Sequence, residues 1–114
     1  MNDELSSKKC TVCQAGAPVL KPKEIEEFQK KVDGNWRVID NHHLEREFKL
    51  TDFKASLDLT NKIGRIAEEE QHHPDICLSY GKVVARLFTH KIDGLHENDF
   101  ILAAKIDKIV KARI

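Results

Sequence analysis

Three cysteines in 114 residues are too few for a disulfide framework, and a chain of this length does not need one. It can bury roughly two-thirds of its unfolded surface around one core, so a single domain is expected. Neither sign of charge prevails. Nineteen basic and nineteen acidic side chains cancel, and no global field steers the protein toward nucleic acid or an anionic membrane. No uninterrupted apolar run approaches the roughly 20 residues of a membrane span. Met1 to Lys9 lacks the apolar segment of a signal peptide and reads as a mobile polar stretch, so the expected location is the cytoplasm. There is no internal linker and no low-complexity segment.

What is present is a regular alternation of periods. Cys10 and Cys13, spaced as half a zinc site, sit in an N-terminal arm over residues 1–21. They also fit a redox pair or two reduced thiols. Residues 22–114 form the folded domain. Pro22 opens a short helix with Ile25, Phe28 and Val32 at helical spacing, ended by Asp33-Gly34-Asn35. Trp36 to Ile39 and Leu44 to Leu50 read as two strands joined by a polar turn, Asp40-Asn41-His42-His43, whose histidines are expected in solvent. Thr51 or Asp52 caps a second helix with two apolar stripes, one through Phe53, Leu57, Thr60, Gly64 and Ala67 and another through Leu59, Ile63 and Ile66. Such a helix covers a sheet and touches a second neighbour, with Gly64 permitting close approach. Ile76 to Tyr80, a turn at Gly81-Lys82 and Val83 to His90 form a second hairpin, in which Cys77 alternates like a core residue. Glu97 to Ala112 is the last helix. The predicted fold class is α+β: one four-stranded antiparallel sheet with three helices packed on one face, in the order α-β-β-α-β-β-α.

The chemistry concentrates in Glu68-Glu69-Glu70-Gln71-His72-His73-Pro74-Asp75. Pro74 lacks an N–H and restricts its predecessor, so the second helix should stop near His72 or His73. Histidine titrates near neutrality, and two at a helix terminus form a candidate proton-transfer site. Glu68 lies four positions before His72 and Glu69 four before His73, so each carboxylate is expected beside one imidazole. Adjacent helical residues diverge by about 100°, which disfavours chelation of one metal ion by His72 and His73.

The ordered set Glu68-x-x-x-His72-His73-Pro74, Tyr80, Val83, Thr89-His90, Gly94-Leu95 and Asp99-x-x-Leu102-Ala103 resembles the pterin-4a-carbinolamine dehydratase family. The likeness runs from about Trp36 to Ile109 and includes Leu44-x-Arg46-x-Phe48-x-Leu50 and Phe53. It implies dehydration of a 4a-hydroxytetrahydropterin to the quinonoid dihydropterin, without metal or organic cofactor. The substrate would come from a pterin-dependent aromatic amino acid hydroxylase. By position it makes His72, His73 and His90 catalytic with Glu68 beside them. Asp75, Ile76, Cys77 and Tyr80 join His73 as candidates for holding the pterin. Expected partners are the small-molecule pterin and further copies of the chain, as a homodimer or homotetramer, with no direct contact to nucleic acid or membrane. The alternative is a non-catalytic protein-binding, assembly or coactivator module on the same fold. Two departures stand out. Gln71 replaces a common acid before the histidine pair, and His96 stands where Thr or Ser normally caps the last helix, so a weaker cap is expected there.

Overall fold

The structure, a computed structural model, describes residues 5–8 and 18–112. Cys10 and Cys13 lie outside those residues. The elements run α1 (Pro22–Gln29), β1 (Arg37–Ile39), β2 (His43–Lys49), α2 (Phe53–Glu70), β3 (Asp75–Ser79), β4 (Lys82–Leu87), a single 3-10 turn (His90–Ile92) and α3 (Glu97–Ala112). The α+β order read from the sequence is the order found. The strands form one antiparallel sheet in the spatial order β1-β2-β4-β3. Each hairpin follows local turn chemistry. The first turn spans Asp40 to His42; Asp40 and Asn41 adopt φ of 52° and 53°, a left-handed pair that short polar side chains tolerate, and the His42 N–H closes the turn on the Ile39 carbonyl at 2.8 Å. The second turn is Tyr80-Gly81, one residue earlier than expected. Gly81 has φ of 71°, and a Cβ there would stand 3.2 Å from the Leu50 carbonyl.

Alternation along β4 divides the sheet into two faces. Val83, Ala85 and Leu87 are fully buried and meet Leu59 and Ile63 of α2 and Phe100, Leu102 and Ile106 of α3. Val84, Arg86 and Phe88 turn to the open face. Cys77 pairs with Val84 on that face and is exposed. The core position expected for it belongs to its neighbours Ile76 and Leu78, because successive strand side chains point to opposite faces and alternation alone does not say which set meets the core. Leu5, in the stretch read as mobile, is fully buried in the main core. Lys8 pairs with Glu97 at 2.8 Å beside it.

The two stripes of α2 have different fates. Leu59, Ile63 and Ala67 face the core, whereas Phe53 and Leu57 remain exposed, and a Cβ at Gly64 would meet nothing within 4 Å. The close approach expected at Gly64 is therefore not made among the described residues.

A buried charge cluster joins the first hairpin to α3. Asp107 accepts from Trp36 Nε1 at 2.6 Å, from Arg46 Nη1 at 2.7 Å and from the Asp33 N–H at 2.9 Å. The Arg46 guanidinium lies over the Phe48 ring, 4.6 Å from its centroid. Burial raises the Asp107 pKa, and the hydrogen bonds from Asp33 and Trp36, with the Arg46 charge, oppose that rise. Removing one partner would strand the other charge in the core, a loss of about 3–5 kcal/mol.

Candidate active site

Helix α2 ends two to three residues before the expected stop at His72 or His73. Asp52 caps its start, accepting from the Ala55 N–H at 2.8 Å. Its last helical residue is Glu70, and Gln71 takes the left-handed conformation at φ 54°, ψ 38°. The Gln71 N–H reaches the carbonyls of Ala67 and Glu68, and the His72 N–H reaches Ala67 at 3.1 Å, so the orphan carbonyls at the helix end are satisfied. This break also separates the two histidines. Once the chain leaves the helix, the i,i+4 relation no longer holds, and the carboxylate pairing expected for both residues is replaced.

His72 turns inward. Its side chain is largely buried, and Nε2 lies 2.6 Å from Asp99 Oδ1. Glu68 pairs instead with His73, Oε2 against Nε2, on the exposed side. Asp99 is completely buried, and its second oxygen accepts from the Thr89 hydroxyl at 3.0 Å and the His96 N–H at 2.9 Å. One carboxylate thus ties the end of α2, the segment after β4 and the start of α3. As a carboxylate it can only accept, so it takes the Nε2–H of His72 and leaves Nδ1 as the ring nitrogen open to a ligand. The weak cap expected at His96 is not what is found. His96 Nδ1 accepts from the Asn98 N–H at 3.1 Å while Asp99 returns to the His96 N–H, the reciprocal arrangement of a capping box.

His90 follows Thr89 directly but belongs to the 3-10 turn rather than to the end of β4. Its ring is half exposed, 3.9 Å from Asp75 Oδ1 through Nε2 and 4.3 Å from the Phe88 ring centroid. Asp75 begins β3 two residues after His73. Antiparallel pairing sets Asp75 opposite Arg86, at the same end of the sheet as Phe88. His72, His73, His90, Glu68 and Asp75 are therefore gathered at one end of the sheet by α2, β3 and β4. Cys77 lies two residues along the open face, and the Ile76 side chain packs on the core, leaving only its backbone to a ligand. Tyr80 is at the far end of β3, roughly 17 Å along the strand from Asp75 at strand rise, and is 73% exposed. The structure does not bring it to the histidines.

Two features were missed in the sequence. Asp99 stands in the sequence only as part of the family pattern, and nothing local signals its pairing with a histidine 27 residues away. His42 and His43, expected in solvent, instead pack on Phe88 with ring centroids at 4.8 and 6.4 Å. Their Nδ1 atoms are 3.1 Å apart. Among the described residues no group of three or more His, Cys, Asp or Glu is arranged to hold a metal ion. Among them, too, no helix is long and apolar enough to cross a membrane.

Residues 18–109 match the family described as pterin 4 alpha carbinolamine dehydratase. A protein of Alkaliphilus metalliredigens is 54% identical over 106 residues, covering 93% of this chain and 96% of its own length. One of Rubrobacter xylanophilus is 47% identical over 106 residues, covering 93% and 98%. Both bear the name "Putative pterin-4-alpha-carbinolamine dehydratase". Among solved structures, a transcriptional coactivator/pterin dehydratase from Brucella melitensis superposes with a TM-score of 0.74 at 29% identity, covering 81% of this chain and 98% of that one.

Proposed function

The chain belongs to the pterin-4a-carbinolamine dehydratase family, a family of hydro-lyases, and from that membership we propose that it dehydrates a 4a-hydroxytetrahydropterin by histidine acid and base catalysis. In this reaction the bond from C4a to the hydroxyl oxygen breaks and a double bond forms between C4a and the adjacent ring nitrogen. The oxygen takes a proton and leaves as water, and the ring nitrogen gives up its proton, yielding the quinonoid dihydropterin. One acid and one base suffice, and no step calls on a metal or an organic cofactor.

The observation that carries this reading is the hold of buried Asp99 on His72. An imidazole fixed at one nitrogen presents the other in a set direction, which a proton transfer requires and a solvated helix end would not provide. His72 and His90 share the two proton transfers at the hydroxyl and ring-nitrogen sides. His73, exposed beside Glu68, binds and orients the pterin, with Asp75 and the backbone of Ile76 and Cys77 along its edge. A pterin-dependent aromatic amino acid hydroxylase would supply the substrate. The uncovered stripe of α2 through Phe53 and Leu57 supports self-association, with a second copy as its cover.

The test follows the loss of enzymatically generated 4a-hydroxytetrahydropterin by ultraviolet absorbance. The native chain is expected to accelerate it above the spontaneous rate, and His72→Ala or His90→Ala each to lower kcat by about 10²–10⁴-fold. Intact turnover in either variant would overturn the role given to that residue. A native chain without activity would favour the second reading, a partner-binding module, which the coactivator name of the Brucella structure brings forward.

A further inference from the structure

His90 has little of its own to hold it. It stands in a single turn of three residues, its ring is half exposed, and its nearest acid, Asp75, is at 3.9 Å, beyond a direct hydrogen bond. The base of its loop is fixed. Thr89 and Gly94 bridge one another through backbone hydrogen bonds of 2.8 and 3.4 Å, and Thr89 is anchored on Asp99. Besides that distant acid, the ring is held by packing on Phe88, which lies at 4.3 Å and is tilted by 45°. Phe88 in turn is backed by His42, at 4.8 Å and 41°. The far nitrogen of His42 reaches the other side of the same loop, with Nε2 at 2.8 Å from Asp93 Oδ1. A residue from the first hairpin turn therefore grips the loop that carries His90 before and after it.

We infer that His42 is a positioning residue for His90, acting through the stack His42, Phe88, His90 and through its hydrogen bond to Asp93. The inference rests on the catalytic place given to His90 above. Aromatic pairs at these separations have preferred offset or edge geometries, so the stack restricts the angle at which the His90 ring can stand. Asp93 is almost fully exposed and its pair with His42 adds little to the stability of the fold. Its weight lies in geometry. Proton transfer falls steeply when a catalytic group is displaced, so a small loss of order at His90 is read in turnover before it is read in unfolding.

The experiment uses the full chain labelled with ¹³C in its histidine rings. The Hδ2 signal of His90, assigned by its disappearance in His90→Gln, senses the ring current of Phe88. In His42→Ala that signal is expected to move toward the value of a free histidine. The same variant should lower kcat by roughly 3- to 30-fold with KM little changed. The unfolding midpoint should stay within experimental error. His42→Gln, which can still donate to Asp93 from its amide nitrogen, should regain part of the rate. Asp93→Ala removes the acceptor of the same link from the exposed side and should reproduce the shift if His42→Ala fails to fold. An unmoved His90 signal with unchanged kcat in a folded His42→Ala variant overturns the inference, as does a rate loss that only tracks lost stability. Absence of dehydratase activity in the native chain would defeat the functional reading instead, and the His90 signal would still decide whether His42 orders it.

Discussion

His43 carries a cost that depends on pH. Its pKa is lowered from the usual 6.5, first by burial and then by the neighbouring charges of His42 and Arg86, while Glu45 and Asp40 act in the opposite sense. In the unfolded chain the same imidazole takes a proton more readily. As pH falls through 6.5 the unfolded state gains that proton first, so the folded state loses ground until the lowered folded value is passed. Above 6.5 the cost vanishes. A His43→Asn variant lacks this cost, and its stability should decline less than that of the native chain between pH 8 and 5. Urea unfolding midpoints at a series of pH values check this, and parallel curves for the two proteins would refute it. The sequence placed both turn histidines in solvent because turn polarity is a local property. Their contact with Phe88 depends on β2 and β4 lying side by side, which local polarity does not report.

Helix α2 decides the site through the way it ends. A non-glycine residue in the left-handed region costs about 1–2 kcal/mol, and Gln71 bears that cost at φ 54°. Gln71→Gly removes it while giving back about 0.5–1 kcal/mol of unfolded-state entropy. A net gain of about 0.5–1 kcal/mol is expected, a rise of a few degrees in the thermal midpoint. Differential scanning calorimetry measures it, and a lower midpoint would show that the Gln71 side chain, which donates to the Glu68 carbonyl at 2.9 Å, contributes more than its backbone costs. The stop at the His-His-Pro run was legible because proline acts on its own neighbours. Which carboxylate each histidine meets was not, since a two-residue change in the helix end turns His72 toward Asp99 and leaves Glu68 to His73.

For the whole molecule, the exposed stripe of α2 sets the question of assembly. Phe53 and Leu57 are 48% and 39% exposed on a helix whose opposite side fills the core. A second copy covering that stripe would be lost on Phe53→Glu with Leu57→Glu, because two carboxylates cannot be desolvated there without partners. Sedimentation equilibrium should show the native chain as an oligomer and the double variant at the mass of one chain. A native chain that sediments as a monomer would remove the proposal. The sequence foresaw two stripes on this helix, since periodicity reports how many sides are apolar. It put Ala67 on the wrong one, because the rotation of a helix about its axis is fixed only by what it packs against.

The sequence by itself determined the α+β order, both hairpins, the helix stop before Pro74 and the presence of the three histidines, all written in spacings of a few residues. Only the tertiary structure decided that Asp99 fixes His72, that Tyr80 stands away from the site, that Leu5 belongs to the core and that His42 backs Phe88. These contacts join residues far apart in the chain, such as His72 and Asp99, 27 positions apart. Their partners are chosen by the packing of the sheet against α2 and α3, and no local period encodes that choice.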